Sequence, residues 1–144
     1  MIEIRAEEGA PVARTDGGHD PEQTRAIADG IREAVRLLNY ATMEAGGVRY
    51  PSVVYDVLGA LAAAAGAMPQ ALMQMSAWVA GQVQEGTVRE VGGDAAASAY
   101  ALAGITQEAA AAAARLQRLL DQAQSATRDL SVRTADEGEG TTSA

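Results

Sequence analysis

The residue types that most often carry enzyme chemistry are scarce in this sequence of 144 residues. The only histidine, His19, follows Gly17-Gly18, where no neighbouring segment would orient it as a general base or a metal ligand. The sequence contains no Glu-x-x-His pair, which the helical di-iron proteins require. Because there is no cysteine, disulfides, thiolate zinc sites and a cysteine nucleophile are all excluded.

Lysine is also absent, since all 11 basic residues are arginine, and this excludes Schiff-base chemistry and a P-loop lysine. No serine has a histidine partner within a structured segment, and no glycine-rich loop follows a strand. We therefore predict a protein that is not an enzyme and that holds neither a metal nor a cofactor.

The distribution of charge argues against nucleic acid as a partner. The formal net charge is −8, whereas a nucleic-acid-binding domain presents a basic face. The acidic surplus is concentrated at the ends, with −3 in residues 1–20 and −2 in residues 131–144. In the first predicted helix acidic and basic residues alternate, which indicates ion pairs on a solvated face: Glu22, Arg25, Asp29, Arg32, Glu33 and Arg36.

The apolar composition indicates an all-α fold with a thin core. Hydrophobic residues make up 48% of the chain, but 33 of them are alanine, and there is no phenylalanine and one tryptophan. Alanine has the highest helix propensity of any residue and adds little to a hydrophobic core. Long helices that pack closely together are therefore expected.

The first helix is predicted at 21–45, after an acidic, disordered arm at 1–19. Asp20 is a good N-cap, Pro21 suits the first helical position, and Gln23 completes a capping box. Gly46-Gly47 would end the helix in the left-handed conformation. Its apolar stripe is Ile27, Ile31, Val35, Leu38, Thr42 and Ala45.

The second helix is predicted at 52–85 and ends at Gly86. Pro69 lies in its middle, so the segment could be one kinked helix or two helices. The apolar spacing continues through Pro69, which favours one helix. The predicted stripe is Val54, Leu58, Leu61, Ala65, Met68, Leu72, Met75, Val79 and Val83.

The third helix is predicted at 94–130, with Asp94 as its N-cap, and is followed by a disordered acidic tail at 131–144. Small residues dominate its heptad pattern, which would let a partner helix approach closely. The predicted stripe is Ala99, Leu102, Thr106, Ala109, Ala113, Leu116, Leu120, Ala123, Thr127 and Leu130.

The connections between these helices are short, which makes neighbouring helices antiparallel. We expect residues 20–130 to form either an elongated up-down-up bundle of three helices or a long antiparallel hairpin with the first helix along it.

Several large apolar residues exceed what one narrow stripe needs, which predicts a partner. Met73 and Trp78 fall off the second stripe, while Ile105 and Leu119 widen the third. A thin three-helix core would bury little apolar surface alone, so we predict contact with a second copy or another helical protein. The candidate interface residues are Met68, Leu72, Met75, Trp78, Ala109, Ala113, Leu116 and Leu120.

A membrane-spanning segment was weighed as an alternative, because residues 57–84 carry no charge. Four glutamines, Pro69 and a predominance of alanine and glycine disfavour insertion, and no basic cluster flanks the stretch. The start of the chain has no apolar signal-peptide region. A cytoplasmic protein is therefore expected, with a membrane-associated accessory of plasmid transfer as an alternative.

Residues 30–90 resemble uncharacterised alanine-rich helical proteins of actinobacteria, of the type found in streptomycete genomes and mobile elements. The resemblance implies a helical fold and a lineage, with no catalytic residue to transfer. It rests on Leu37-Leu38-Asn39-Tyr40-Ala41-Thr42, Tyr50-Pro51-Ser52, Val57-Leu58-Gly59-Ala60-Leu61 and Met68-Pro69-Gln70-Ala71-Leu72.

A weaker resemblance is to the WXG100 family of helical hairpins exported by type VII systems. Trp78-Val79-Ala80-Gly81 is similar to the family's Trp-x-Gly turn but is one residue longer and lies within a predicted helix. Tyr40-Ala41-Thr42-Met43-Glu44 is similar to its Tyr-x-x-x-Asp/Glu export motif but precedes the hairpin. This resemblance implies a secreted hairpin as a further alternative.

Overall fold

The computed structural model describes residues 20–131, which form three α-helices: α1 (Pro21–Met43), α2 (Pro51–Gln84) and α3 (Ala95–Thr127). The all-α class is confirmed, and α2 and α3 pack together as a long hairpin. The chain divides into two compact units after Arg49, so the range predicted as one bundle contains α1 in one unit and the hairpin in the other. His19, the predicted arm at 1–19 and the predicted tail beyond Ser131 lie outside the described residues.

The start of α1 is the predicted capping box. The Gln23 backbone N–H donates to the Asp20 carboxylate at 2.7 Å, and the Asp20 backbone N–H donates to the Gln23 side chain at 3.4 Å. Pro21 occupies the first turn, where its missing N–H costs no helical hydrogen bond. These local signals fix where the helix begins, and the prediction is confirmed.

The end of α1 differs from the prediction of a left-handed glycine stop. The helix ends at Met43, and the glycines with positive φ in the described region are Gly86 and Gly92, not Gly46 or Gly47. Gly47 has a different role, because a Cβ at this position would collide with the Ala41 carbonyl oxygen. The chain therefore needs glycine there for close backbone approach, not for a left-handed φ.

α2 is one continuous helix with Pro69 in its interior, as the sequence favoured over two helices. It begins at Pro51 without a side-chain cap and ends one residue before the predicted limit. Gly86 follows in the left-handed conformation (φ 73°), and its N–H donates to the Val83 carbonyl at 3.1 Å. The predicted stop at Gly86 is confirmed.

The turn between the hairpin helices is held by side chains from both of its ends. The Thr87 hydroxyl contacts the Gln82 amide oxygen at 2.7 Å, and the Ser98 hydroxyl donates to the Glu90 carboxylate at 2.7 Å. Asp94 then caps α3, since its carboxylate accepts from the N–H groups of Ala96 and Ala97 at 2.9 and 3.2 Å. This cap is the one the sequence predicts.

Replacing Asp94 by alanine should lower the free energy of unfolding of the hairpin by about 1 kcal/mol, because two N–H groups at the start of α3 lose their acceptor. Urea unfolding followed by circular dichroism at 222 nm measures this change. Asp94→Asn is the matched control, since its amide oxygen accepts the same bonds and should keep most of the stability. Equal losses in both variants would contradict a capping role.

Residues at alternating steps of three and four form the contact between α2 and α3, which we call the seam. Its buried members are all small: Ala62, Ala65, Ser76, Ala99, Ala110 and Ala113. The thin core expected from the composition is therefore what the hairpin contains. The half-buried members that complete the seam are Tyr55, Leu58, Pro69, Leu72, Val79 and Val83 of α2, and Leu102, Thr106, Gln117, Leu120, Gln124 and Thr127 of α3.

Alternate positions of the predicted stripes are wrong by one residue between residues 54 and 75 of α2 and between residues 109 and 123 of α3. In α2 the seam contains Ala62, Pro69 and Ser76 where the prediction had Leu61, Met68 and Met75. In α3 it contains Ala110, Gln117 and Gln124 where the prediction had Ala109, Leu116 and Ala123. The leucines and methionines predicted at these positions lie beside the seam.

Two glycine–glutamine contacts join the helices of the antiparallel pair. A Cβ at Gly66 would come within 2.8 Å of the Gln117 amide, and a Cβ at Gly59 would collide with that of Gln124. The Gln124 amide also donates to the Tyr55 carbonyl at 3.2 Å. Both pairs are separated by seven residues along their helices, so the glycines of α2 make room for the glutamines of α3.

Candidate interaction surface

The titratable groups of the described region lie mostly apart from one another on the helix surfaces. No group of three or more His, Asp or Glu side chains in residues 20–131 could hold a metal ion. The perturbed pair is Glu33 and Arg36, both exposed on α1. A hydrogen bond from the Arg36 guanidinium lowers the pKa of Glu33 and raises that of Arg36.

These groups stabilise the surface of α1, as the alternating charges predict. Arg36 also lies over the Tyr40 ring, 5.3 Å from its centroid, and Arg32 pairs with Asp29 at 3.3 Å. Pairs three residues apart along one helix support that helix locally. They offer no substrate a pocket.

A shallow depression of about 300 Å³ lies at the open end of the hairpin. Its lining contains one charged residue, Arg128, next to the hydroxyl groups of Ser52, Tyr55 and Thr127. No carboxylate or imidazole faces Arg128 there, so the depression lacks an acid–base pair. The hairpin's most distinctive surface lies elsewhere.

A second apolar heptad pattern runs along each hairpin helix, beside the seam. We call these residues together the hairpin face. Their spacing alternates between three and four, so each helix presents them as one stripe. They are Val54, Val57, Leu61, Ala64, Met68, Ala71, Met75 and Trp78 of α2, and Ile105, Ala109, Ala112, Leu116, Leu119, Ala123 and Ala126 of α3.

The two stripes lie on the same side of the hairpin. In α2 Met68 directly precedes the seam residue Pro69, and in α3 Leu116 directly precedes the seam residue Gln117. An antiparallel helix pair has a twofold axis perpendicular to it, so positions with the same offset from the seam lie on the same side. The stripes therefore form one continuous apolar surface.

The hairpin itself leaves most of this surface exposed, while Val54, Val57 and Leu61 are half-buried. Trp78 is 63% exposed, Ile105 is 66% exposed and Leu119 is 51% exposed. The charged residues of α3 lie at positions outside both the seam and the hairpin face, namely Glu108, Arg115, Arg118 and Asp121. The hairpin thus has one apolar side without charges and one polar side.

The eight predicted interface residues divide between the two surfaces. Leu72, Ala113 and Leu120 belong to the seam and contact the other helix of the same chain. The five others belong to the hairpin face and are exposed: Met68, Met75, Trp78, Ala109 and Leu116. Sequence analysis singled out Ile105 and Leu119 as widening the stripe, and both also lie on the hairpin face.

The seam positions of Gln117 and Gln124 do not follow from the apolar spacing, because glutamine does not mark an apolar contact. One signal was available. The seven-residue spacing of Gly59 and Gly66 on one helix matches that of the two glutamines on the next.

Comparisons with known proteins found no relative: no family model, no curated protein and no solved structure matches the chain.

One helix of the described region, α2, is long and apolar enough to cross a membrane by length and composition, and 11% of its most apolar window is buried. The Trp78–Gly81 segment lies inside α2 and not in the turn that follows it.

Proposed function

We propose that this chain is a non-enzymatic helical interaction module that self-associates through its hairpin. The observation that supports this most is the hairpin face, an apolar stripe on both helices that the hairpin itself leaves open. Contiguous apolar patches of several hundred Å² on soluble proteins mark sites of association. Another helical protein is the alternative partner, and a cytoplasmic location and the absence of cofactors belong to the same proposal.

Light scattering of the purified chain over about 1–200 μM tests this function, because specific complexes assemble within that range. We expect the mass to rise with concentration to a small, fixed multiple of the chain mass. A mass that stays at one chain throughout would overturn self-association. A mass that rises without a plateau would indicate aggregation and would also contradict a defined module.

A membrane-associated protein is the second candidate, favoured by the length, apolar composition and low burial of α2. Lipid-facing helices at an interface usually carry Lys and Arg along their polar side. Here the polar side of α3 has two acidic and two basic residues, which gives no net attraction to anionic lipid. Cell fractionation separates the candidates, since recovery in the soluble fraction would exclude the second.

A further inference from the structure

We infer that the hairpin face docks onto the hairpin face of a second copy of this chain, so that two hairpins form an antiparallel four-helix bundle. This inference rests on the proposed function and names its surface and its partner. It departs from the sequence prediction in one respect. The seam residues Ala113, Leu72 and Leu120 are already buried or half-buried within one chain, so they cannot be the surface that a partner covers.

The first argument is the area that the hairpin face offers. Its residues span about 25 positions of α2 and about 22 of α3, or about 36 Å and about 32 Å at 1.5 Å per residue. Two helices about 9 Å apart give the face a width of about 18 Å. Each copy would therefore bury about 600 Å², or about 1,200 Å² in total, which is the lower end of the range of specific, stable protein interfaces.

The second argument is the pattern of large and small side chains on α3. Along the face, Ile105 is followed by two alanines, then by Leu116 and Leu119, then by two more alanines, Ala123 and Ala126. An antiparallel copy of α3 can be placed so that both leucines oppose Ala109 and Ala112 of the other copy. A twofold axis makes the reverse contacts identical, so large residues meet small ones along the contact between the two copies of α3.

The third argument concerns charge. The hairpin face contains no charged residue, so two copies can meet there without burying an unpaired charge, although the chain carries a net charge of −8. The charged groups of the hairpin helices, such as Asp56, Arg115 and Asp121, lie at positions outside the face and would stay in water. A bilayer surface would gain no electrostatic attraction from this arrangement.

The arrangement also predicts which residues meet at the symmetry axis. Placing Leu116 opposite Ala112 puts the twofold axis at the level of Ala114. The register in which Gly66 meets Gln117 places Pro69 of α2 at this level, so the face residue Met68 lies one residue, or about 1.5 Å, from it. Met68 of one copy would therefore lie next to Met68 of the other.

Sedimentation velocity of the full chain and two variants tests the docking surface. Leu119→Glu places a charge on the hairpin face, whereas Ala111→Glu places the same charge on an exposed position of α3 outside it. We expect the wild type and Ala111→Glu to be dimers. Leu119→Glu should weaken dimerisation at least about 30-fold, as loss of a central contact does. Because both positions are exposed, helicity should be equal in the three proteins.

Cysteine cross-linking provides a second, independent measurement, since the chain has no cysteine of its own. Met68→Cys should form a disulfide-linked dimer under mild oxidation, and Gln70→Cys, on the opposite side of α2 and exposed, should not. Cross-linking of Gln70→Cys with none at Met68→Cys would overturn the arrangement.

The remaining outcomes separate this inference from the function it rests on. A wild-type dimer that Leu119→Glu leaves intact would overturn the hairpin face as the docking surface, while self-association would stand. A wild-type monomer would overturn both. A monomer that binds phosphatidylcholine–phosphatidylglycerol vesicles, and loses binding in Leu119→Glu, would assign the same face to a membrane surface instead of a second copy.

Discussion

An Ala65→Asp variant is expected to lose most of the cooperative unfolding of the hairpin. Ala65 is 1% exposed at the centre of the seam, where α2 meets α3 through alanine side chains. A carboxylate there would be buried without a partner and would also force the helices apart. The combined cost is about 4 kcal/mol or more, against a total stability of about 5–15 kcal/mol for a domain.

The matched control for this variant is Ala63→Asp, two residues away on the same helix and exposed. It adds the same charge to the same helix at an exposed position, so it should change the free energy of unfolding by no more than about 0.5 kcal/mol. Urea unfolding of both variants by circular dichroism measures the difference. Equal midpoints would mean that Ala65 does not lie in the contact between the helices.

Lowering the pH should restore part of the stability of Ala65→Asp. Burial without a partner raises the pKa of the introduced carboxyl above its unfolded value, so the folded state binds a proton more readily than the unfolded state. Stability therefore rises as the pH falls through the folded pKa. If the loss comes from steric overlap alone, the variant should instead show no more recovery than Ala63→Asp.

The same reasoning changes what an Ala113→Glu variant would report. The sequence predicts that Ala113 contacts a partner, and a charge in such a contact would break the interface. In the structure Ala113 is buried against α2 of its own chain. The variant would therefore unfold the hairpin, and a loss of dimer in it would say nothing about which surface docks. Leu119 is exposed, so a charge there perturbs association without this ambiguity.

The features that could be predicted from the sequence are those with local causes. Asp20, Asp94 and Gly86 define helix ends through contacts with residues at most four positions away, so their residue types alone are informative. The all-α class follows from the alanine content and the three-four spacing. The end of α1 could not be predicted in this way, because Gly47 is required by the approach of the Ala41 carbonyl, a contact that exists only in the folded turn.

Along much of the seam only every other position could be predicted. Leu58, Ala65 and Leu72 fall on both the predicted and the observed stripe, since the two differ by one residue at alternate steps. Each helix has apolar residues on two adjacent stripes, and the sequence alone favours the stripe with larger side chains. At Ala62, Ser76 and Gln117 the seam has a smaller or polar side chain where the prediction had leucine or methionine. Those larger side chains belong to the hairpin face.

Replacing Pro69 by alanine is expected to stabilise the hairpin by about 1–2 kcal/mol. A proline in the interior of a helix lacks the N–H that would donate to the carbonyl four residues earlier, which is that of Ala65, and costs about 3 kcal/mol relative to alanine. Part of the gain is offset because the half-buried Pro69 ring contributes apolar contact to the seam. The melting temperature should rise by about 4–8 °C for each kcal/mol.

Pro51→Ala is the matched control, since Pro51 occupies the first turn of α2, where a proline suits the helix and no hydrogen bond is missing. It should leave the melting temperature nearly unchanged or slightly lower. A fall in stability for Pro69→Ala would contradict this expectation. A straight α-helix drifts away from a seven-residue repeat, so a seam as long as this one requires the helices to curve. Destabilisation would show that Pro69 supplies this curvature, and that its position next to Met68 also shapes the hairpin face.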